Sequence, residues 1–532
     1  MAEADGRIER PLVYAIVPQA RQRLRSHSSR HRQLHRMYRF DGRVSWPVKL
    51  WYAAGQTGQS VTDFGFGTLL FLYYNQVLGL SGTYTGLGVA IALFFDALAD
   101  PAVGSWSDGF QSKWGRRHLF MAASIVPLTA TFFGLFWPPQ DLSQLQLFVW
   151  FTTFSVLVRT ALTFYNVPYL SLGAELSQDY QERTQIVSVR IAAGAISILA
   201  VTGIGWNFFF VGTPEDPTPQ LTREPYFFYA IASAVLTAVI LAASTLFTVR
   251  TVPHLAGSRQ QRRAFGLRRV YQDLYEALQN DSFRALFIGT LIYFVYAGTQ
   301  GALWMHLMTF YWQFDTKGIQ WIQYAGIVGA IAGVPLAPAF NRWFDKKWTV
   351  IIGVVISALA DNTPILFKLA GAMPDDHATL VYTLVALSLF GSFFGVQASI
   401  TVASMMGDVA DEHELKHGTR QEGVYFGSYS FSSKCTGAFG NMIAGVAIDL
   451  IGLDPVSKPG EVPVDVLNHF GASYGLIALL IIASVWVFLP YSLNSRRHAQ
   501  VLVELANRRR PVAAAESPDE SVDGAIAVSP SG

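Results

Sequence analysis

The chain has 532 residues, of which 51% are hydrophobic and only 14% charged, against about a quarter charged in soluble domains. That is the composition of a polytopic membrane protein, and a net charge of +2 makes no case for nucleic acid as a partner. One cysteine, Cys435, excludes an intramolecular disulfide framework.

Residues 1–47 hold ten arginines and only short apolar stretches, and read as a basic cytoplasmic tail rather than a cleaved leader. Apolar runs of about 20 residues then place about twelve spans at 49–79, 83–104, 118–137, 146–173, 185–211, 226–249, 284–312, 320–341, 348–371, 378–407, 424–451 and 470–492. Basic residues crowd alternate loops, among them Lys113 with Arg116 and Arg117, the stretch 250–284, and Arg342 with Lys346 and Lys347. The intervening loops are nearly bare. This is the positive-inside pattern, and with an even number of spans it puts both termini in the cytoplasm.

An internal echo divides the chain. DPAVGSWSDGFQSKWGRR after span 2 has a counterpart in VPLAPAFNRWFDKKW after span 8. Each runs from an apolar span through Pro and an acid into a basic cluster with Trp. The division gives a six-helix half at 48–249, a cytoplasmic linker at 250–283 with an amphipathic helix around RRVYQDLYEAL, and a second half at 284–495. Residues 496–532 read as a cytoplasmic tail without fixed structure.

Charges inside the spans locate the chemistry. Asp96 and Asp100 stand one turn apart on one face of GLGVAIALFFDALADPAVG. Each costs roughly 2.5–3.5 kcal/mol at membrane depth, so they call for something positive. Thr163 in span 4 offers a hydroxyl oxygen. A hard cation such as Na⁺ wants several oxygens, whereas a proton needs one carboxylate, and the residues leave the ion open. Lys434 lies about ten residues into span 11, too deep to snorkel, and needs an acid partner; Asp96 and Asp100 are the obvious ones. Arg159, Thr163 and Asn166 share a helix face, followed by Tyr169. Arg159 either pairs with an internal acid or holds a carboxylate or phosphate of the substrate. Arg190 opens span 5 as a gate or a structural pair. Span 1 is interrupted by Gln59, Ser60 and Asp63, and Asp63 suits substrate hydroxyls. Asp361 and Asn362 in span 9 read as internal helix contacts. His413-Glu414-Leu-Lys-His417 formally matches the H-E-x-x-H pattern of zinc proteases, but it lies in a charged loop rich in Asp, Glu and His, where the pattern arises easily by chance.

Four stretches together resemble the glycoside–pentoside–hexuronide:cation symporters, the melibiose-carrier branch of the major facilitator superfamily. They are Asp96-Ala-Leu-Ala-Asp100-Pro with SKWGRR, Asn166-Val-Pro-Tyr169 with Glu182-Arg183-Thr and Arg190, Asp411-EHELKHGT-Arg420-QEG, and Ser-Ser-Lys434-Cys-Thr-Gly. The likeness spans about residues 48–495. It implies an all-α membrane protein of the major facilitator fold, two six-helix halves with a site near the midplane between them. It implies a cation site at Asp96, Asp100 and Thr163. A polar ligand often found before the second acid is Ala99 here, which removes an oxygen and leaves H⁺ as open as Na⁺. Positions that carry acids in the melibiose carrier are the neutral Ser60 and Asn166, so melibiose is a poor candidate. Sodium-coupled lysophospholipid carriers resemble the chain through the same span-2 acids and span-11 lysine.

The resulting expectation is a cation-coupled secondary symporter, not an enzyme, carrying a sugar, glycoside or hexuronide by alternating access. The substrate site would draw on Ser60, Asp63, Arg159, Asn166, Tyr169, Arg190 and Lys434. Asp108, Lys113, Arg116, Arg117, Arg183, Asp408, Asp411 and Arg420 would form cytoplasmic gates through charge pairs that break on opening. The expected partners are a small molecule, anionic or neutral, and membrane lipid, with the chain a monomer in the plasma membrane, without a cofactor beyond the coupling ion. A lysophospholipid carrier is the alternative; a non-transporting sensor and a membrane zinc protease are remote. The absence of a Gly-rich phosphate loop ending in Lys-Ser/Thr disfavours ATP-driven transport.

Overall fold

The computed structural model describes residues 39–40, 43–110, 112, 114–177, 179–252, 275, 277–374, 376–418 and 422–515. Helix is the outcome that apolar runs impose in lipid, because a helix satisfies its backbone N–H and C=O groups within itself. A short hairpin pairs β1 (Arg39–Phe40) antiparallel to β2 (Arg43–Val44) and leads into the bundle.

The first half holds α1, built of Trp46–Ala54 and Gln56–Phe64 and continued by π turns at Gly65–Leu69 and Tyr73–Val77. Then come α2 (Gly82–Gly109), α3 (His118–Phe136), α4 (Gln144–Glu175), α5 (Tyr180–Ile204) and α6 (Glu224–Val249). The second half begins with α7 (Asp281–His306). Thr316–Gly333 runs through a 3-10 turn, Val334–Leu336, into Ala337–Leu369, and Asp345 at φ 63° breaks that helix. Residues 316–344 are therefore α8 and residues 346–369 are α9. The loop expected around Lys346 and Lys347 reduces to this one-residue reversal, with Asp345 itself accepting the Lys346 N–H at 2.6 Å. Next are α10 (His377–His417), α11 (Glu422–Ile451) and α12 (Val464–Ile477 with Leu479–Phe488).

Among the described residues nine helical runs are long and apolar enough to cross a membrane. One of them, Thr316–Leu369, contains both α8 and α9. With α1, interrupted by π turns, and α11, rich in Gly and Ser, the traverses number twelve. The protein is thus an integral multi-pass membrane protein. Ser45 and the 345 and 489–495 turns lie at one end of the bundle, called here the terminal face. The turns at 78–81, 137–143, 210–223, 312–315, 370–376 and 452–463 lie at the other, the far face.

Two expectations about loops are corrected. DEHELKH, expected in a charged loop, is the last part of α10, which runs on to Gly418 at φ 74°. An i,i+4 pair of Lys416 Nζ with Glu412 at 3.0 Å supports that turn, and glycine supplies the left-handed cap. The expected unstructured tail begins as a helix, α13 (Ser495–Ala515). Val501 and Leu505 are buried in the core of the second half, and the Arg508 guanidinium donates to the Leu415 carbonyl at 2.6 Å. Apolar residues at i and i+4 gave this segment a face to bury. The rest of the tail, the linker helix at 268–274 and residues 1–38 lie outside the described residues.

The halves meet most closely where α2 crosses α11. A Cβ on Gly445 would collide with the Gly82 carbonyl, and one on Gly86 with the Asn441 carbonyl. Small residues that let backbones touch are how helices associate in lipid, where no hydrophobic drive between helices exists.

Candidate functional site between the halves

At mid-depth on that crossing, Lys434 of α11 reaches across to α2. Its Nζ stands 2.6 Å from Asp100 Oδ2 and 2.9 Å from Asp96 Oδ2. Thr163 of α4 donates its hydroxyl to Asp96 Oδ1 at 2.8 Å, with Asp100 Oδ1 at 3.2 Å. Asp96 and Thr163 are buried, while the Asp100 and Lys434 side chains keep 32% and 25% of their exposure. One oxygen of each carboxylate therefore holds the ammonium and the other faces the Thr163 hydroxyl, and the group is partly exposed on the Asp100 and Lys434 side. The donor set is hard and anionic, of the kind that takes a small cation. Arg159 stands further off, 3.9 Å from Asp96 Oδ2, with its guanidinium 4.4 Å over the Phe66 ring. Its buried Nε has no hydrogen-bond partner.

A second group continues along α1, α4 and α5. Asp63 is exposed and accepts from Gln59 Nε2 at 2.6 Å, and the Asn166 amide donates to Gln59 Oε1. Arg190 donates to Gln56 Oε1 at 3.2 Å. Gln56 and Gln59 thus hold three of the expected residues in place; Gln59 was visible as a polar break in span 1, while Gln56 was overlooked.

Two expected substrate residues do not belong to this surface. Ser60 is buried, with its hydroxyl directed at the Gln56 and Gly194 carbonyls at 3.4 and 3.5 Å. Tyr169 is fully buried, stacked on Tyr52 with ring centroids 4.6 Å apart, and donates to the Tyr52 carbonyl at 2.9 Å. Both tie α1 to its neighbours, because a polar side chain in lipid finds the nearest backbone acceptor. Asp361 is exposed on α9, whereas its neighbour Asn362 is buried and donates to Tyr296 Oη at 3.1 Å.

Where both residues of a pair are described, the expected gate residues pair within a half. Arg117 holds Asp108 at 2.5 Å and Glu175 at 3.0 Å, and Arg116 shares Glu175 at 2.9 Å. Arg183 donates to the Ser177 carbonyl at 2.7 Å. In the other half Lys346 holds Asp408 at 2.6 Å, and His498 of α13 lies 3.1 Å from Asp411. Lys113 and Arg420 lie outside the described residues. Sequence reasoning overlooked the buried pair of Lys49 and Glu182 at 2.9 Å, which also receives the Val44 N–H at 2.8 Å. Lys49 stood at the edge of span 1, and Glu182 lay within a quoted motif without a role.

The far face is bonded across the halves instead. Asn75 and His306 Nε2 are 3.0 Å apart, Gln76 accepts the Ser457 N–H at 3.1 Å, and Gln323 donates to Thr68 at 2.8 Å. Asp449 accepts the N–H groups of Gly82 and Thr83, both at 2.7 Å. Among pairs with both residues described, no ion pair at the terminal face joins the halves. Among the described residues the bonds between the halves thus gather at the far face.

A helical bundle of two halves with a charged cluster at its centre has known counterparts. The family profile described as MFS/sugar transport protein matches residues 51–495. The chain belongs to that family. The putative glycoside/cation symporter YagG of Escherichia coli K12 is similar at 23% identity over 87% of this chain and 95% of its own. The glucuronide carrier protein homolog of the same organism is similar at 23%, over 88% and 97%. Sodium-dependent lysophosphatidylcholine symporter 1 of Gallus gallus is 24% identical over 79% of this chain and 82% of its own. Among solved structures, the xylose transporter XylE from E. coli in a partially occluded inward-open conformation aligns at TM-score 0.54. It is 12% identical, over 84% of this chain and 98% of that one, and this likeness establishes the fold. A MFS/sugar transport protein with symporter relatives is a cation-coupled secondary transporter of a small molecule and not an enzyme.

Proposed function

We propose that this protein carries a sugar, glycoside or hexuronide with Na⁺ or H⁺ across the plasma membrane, with both termini in the cytoplasm. The observation that carries the reading is Lys434 bridging Asp96 and Asp100 from the opposite half. Two carboxylates face one ammonium, so the cluster retains attraction for a second positive charge. A cation entering among Asp96, Asp100 and Thr163 competes with Lys434 for the same oxygens. Its arrival frees the ammonium, and ion occupancy is thereby coupled to how the halves sit. The terminal-face basic clusters of the sequence support a cytoplasmic terminal face, and the far-face bonds between the halves fit an inward-facing state.

Asp63, Gln59 and Asn166 supply acceptors and donors for hydroxyl groups. Arg159 supplies a fork whose nearest carboxylate, Asp96, stands at 3.9 Å, beyond hydrogen-bond distance, and whose Nε is unbonded, and a freed Lys434 adds to the positive potential beside it. That favours a substrate bearing a carboxylate, as a hexuronide does. The same fork suits the phosphate of a lysophospholipid, which is the second reading. Because Ser60 and Tyr169 are spent on helix contacts, neither takes part.

Thermal stability of the purified protein tests both readings, since a ligand that binds the folded state raises stability by mass action. Na⁺, Li⁺ and K⁺ at several pH values are crossed with a neutral glycoside, a uronide and a lysolipid. The expected result is a rise with the uronide that grows with one cation or with falling pH. A rise with lysolipid alone would transfer the protein to the second reading.

A further inference from the structure

We infer that Asp449 is a latch that holds the far face shut and sets the balance between the two access states. It is a positioning residue and touches neither ion nor substrate. The inference rests on alternating access by two halves, as proposed above.

Asp449 lies near the C-terminal end of α11, 367 residues from its partner in the chain. Its two oxygens each take one N–H from the first turn of α2, Gly82 and Thr83, at 2.7 Å. The first N–H groups of a helix have no partner inside it and carry the positive end of the helix dipole. Ser81 caps only the Tyr84 N–H, at 3.2 Å, so the N–H groups of Gly82 and Thr83 were left for another acceptor. A carboxylate is the strongest acceptor available for them, through charge-assisted bonds. The acceptor comes from the other half, so the cap exists only while the halves are closed there.

Position adds a second argument. The same two helices carry the Lys434 link at mid-depth and the glycine contact of Gly445 on Gly82 at the far end. That glycine contact is what brings the Asp449 carboxylate onto the α2 backbone. Opening the far face must separate α2 from α11 there, lose both bonds and leave a carboxylate and two amide N–H groups to water. Closing it restores them together. Asp449 therefore favours the state open at the terminal face.

Sidedness of labelling tests this. Gly67 on α1 lies one turn beyond Asp63 and is exposed, and a Cβ placed there would meet no atom within 4 Å. A Gly67→Cys reporter in a Cys435→Ser background is labelled with a membrane-impermeant maleimide from each face of sealed vesicles. With Asp449→Ala, far-face labelling should rise about tenfold and terminal-face labelling should fall. Asp449→Asn, which keeps one acceptor oxygen, should lie between and covers the case of an alanine variant that does not fold. Asp454→Ala, an exposed acid in the far-face turn, should match wild type. Unchanged sidedness, equal gain on both faces, or the same change from Asp454→Ala would overturn the latch. Adding cation and glycoside to the wild-type reporter separates the two failures. If its sidedness shifts while Asp449→Ala stays at wild-type values, the latch alone fails. If the wild-type reporter never shifts, alternating access fails and the latch with it.

Discussion

Asp100 and Lys434 make different demands on the same few cubic ångströms. Asp100→Asn keeps the volume and removes one of two charges that hold Lys434 at 2.6 and 2.9 Å. Cation-stimulated accumulation should fall at least about a hundredfold, the loss of roughly 3 kcal/mol from a charge-assisted hydrogen bond; uptake into vesicles under an imposed cation gradient checks it. Lys434→Ala leaves two carboxylates without their ammonium, so cation binding should persist while coupling is lost. Binding by titration together with uphill uptake separates these, and wild-type coupling would refute the competition between lysine and ion. The acids and the lysine were legible in the sequence because a charge inside an apolar run needs a partner. Ser60 and Tyr169 were not. A hydroxyl in a helix of a membrane protein is as readily satisfied by a neighbouring carbonyl as by a substrate, and only the packing of α1 against α4 and α5 decides.

At the scale of helices, the spans themselves were legible from length and hydropathy, while their joints were not. The reversal at Asp345 depends on one backbone dihedral, and the length of α10 on a glycine cap and an i,i+4 pair. α13 escaped because its burial face is two residues wide, Val501 and Leu505, too little for a periodicity argument. That face makes a prediction. Leu505→Ala should lower stability by about 2 kcal/mol, the low end for a buried leucine, and leave ion affinity unchanged. Thermal unfolding with and without the coupling ion reads both; a changed ion response would mean that α13 communicates with the site.

At the scale of the whole molecule, each half keeps its own terminal-face ion pairs while the far face is bonded across. Pairs such as Arg117–Glu175 and Lys346–Asp408 need not break when the halves rock. They keep each half rigid, so that movement concentrates at the α2–α11 crossing. The sequence displayed these charges as alternating clusters but could not tell pairs within a half from pairs between halves, since both lie in the same loops.

The central cluster also has an electrical side. The three acids of the site, Asp63, Asp96 and Asp100, are matched in number by Arg159, Arg190 and Lys434, so the empty site sums to zero. An empty carrier then returns without moving net charge through the membrane field, and voltage cannot hurry it. With a cation and a neutral sugar the loaded carrier moves one charge, worth about 2.3 kcal/mol per 100 mV. With a cation and a uronate it moves none. Current recorded across a membrane containing the protein should therefore accompany neutral glycosides and vanish for hexuronides, so an electrode alone can report the charge on the cargo.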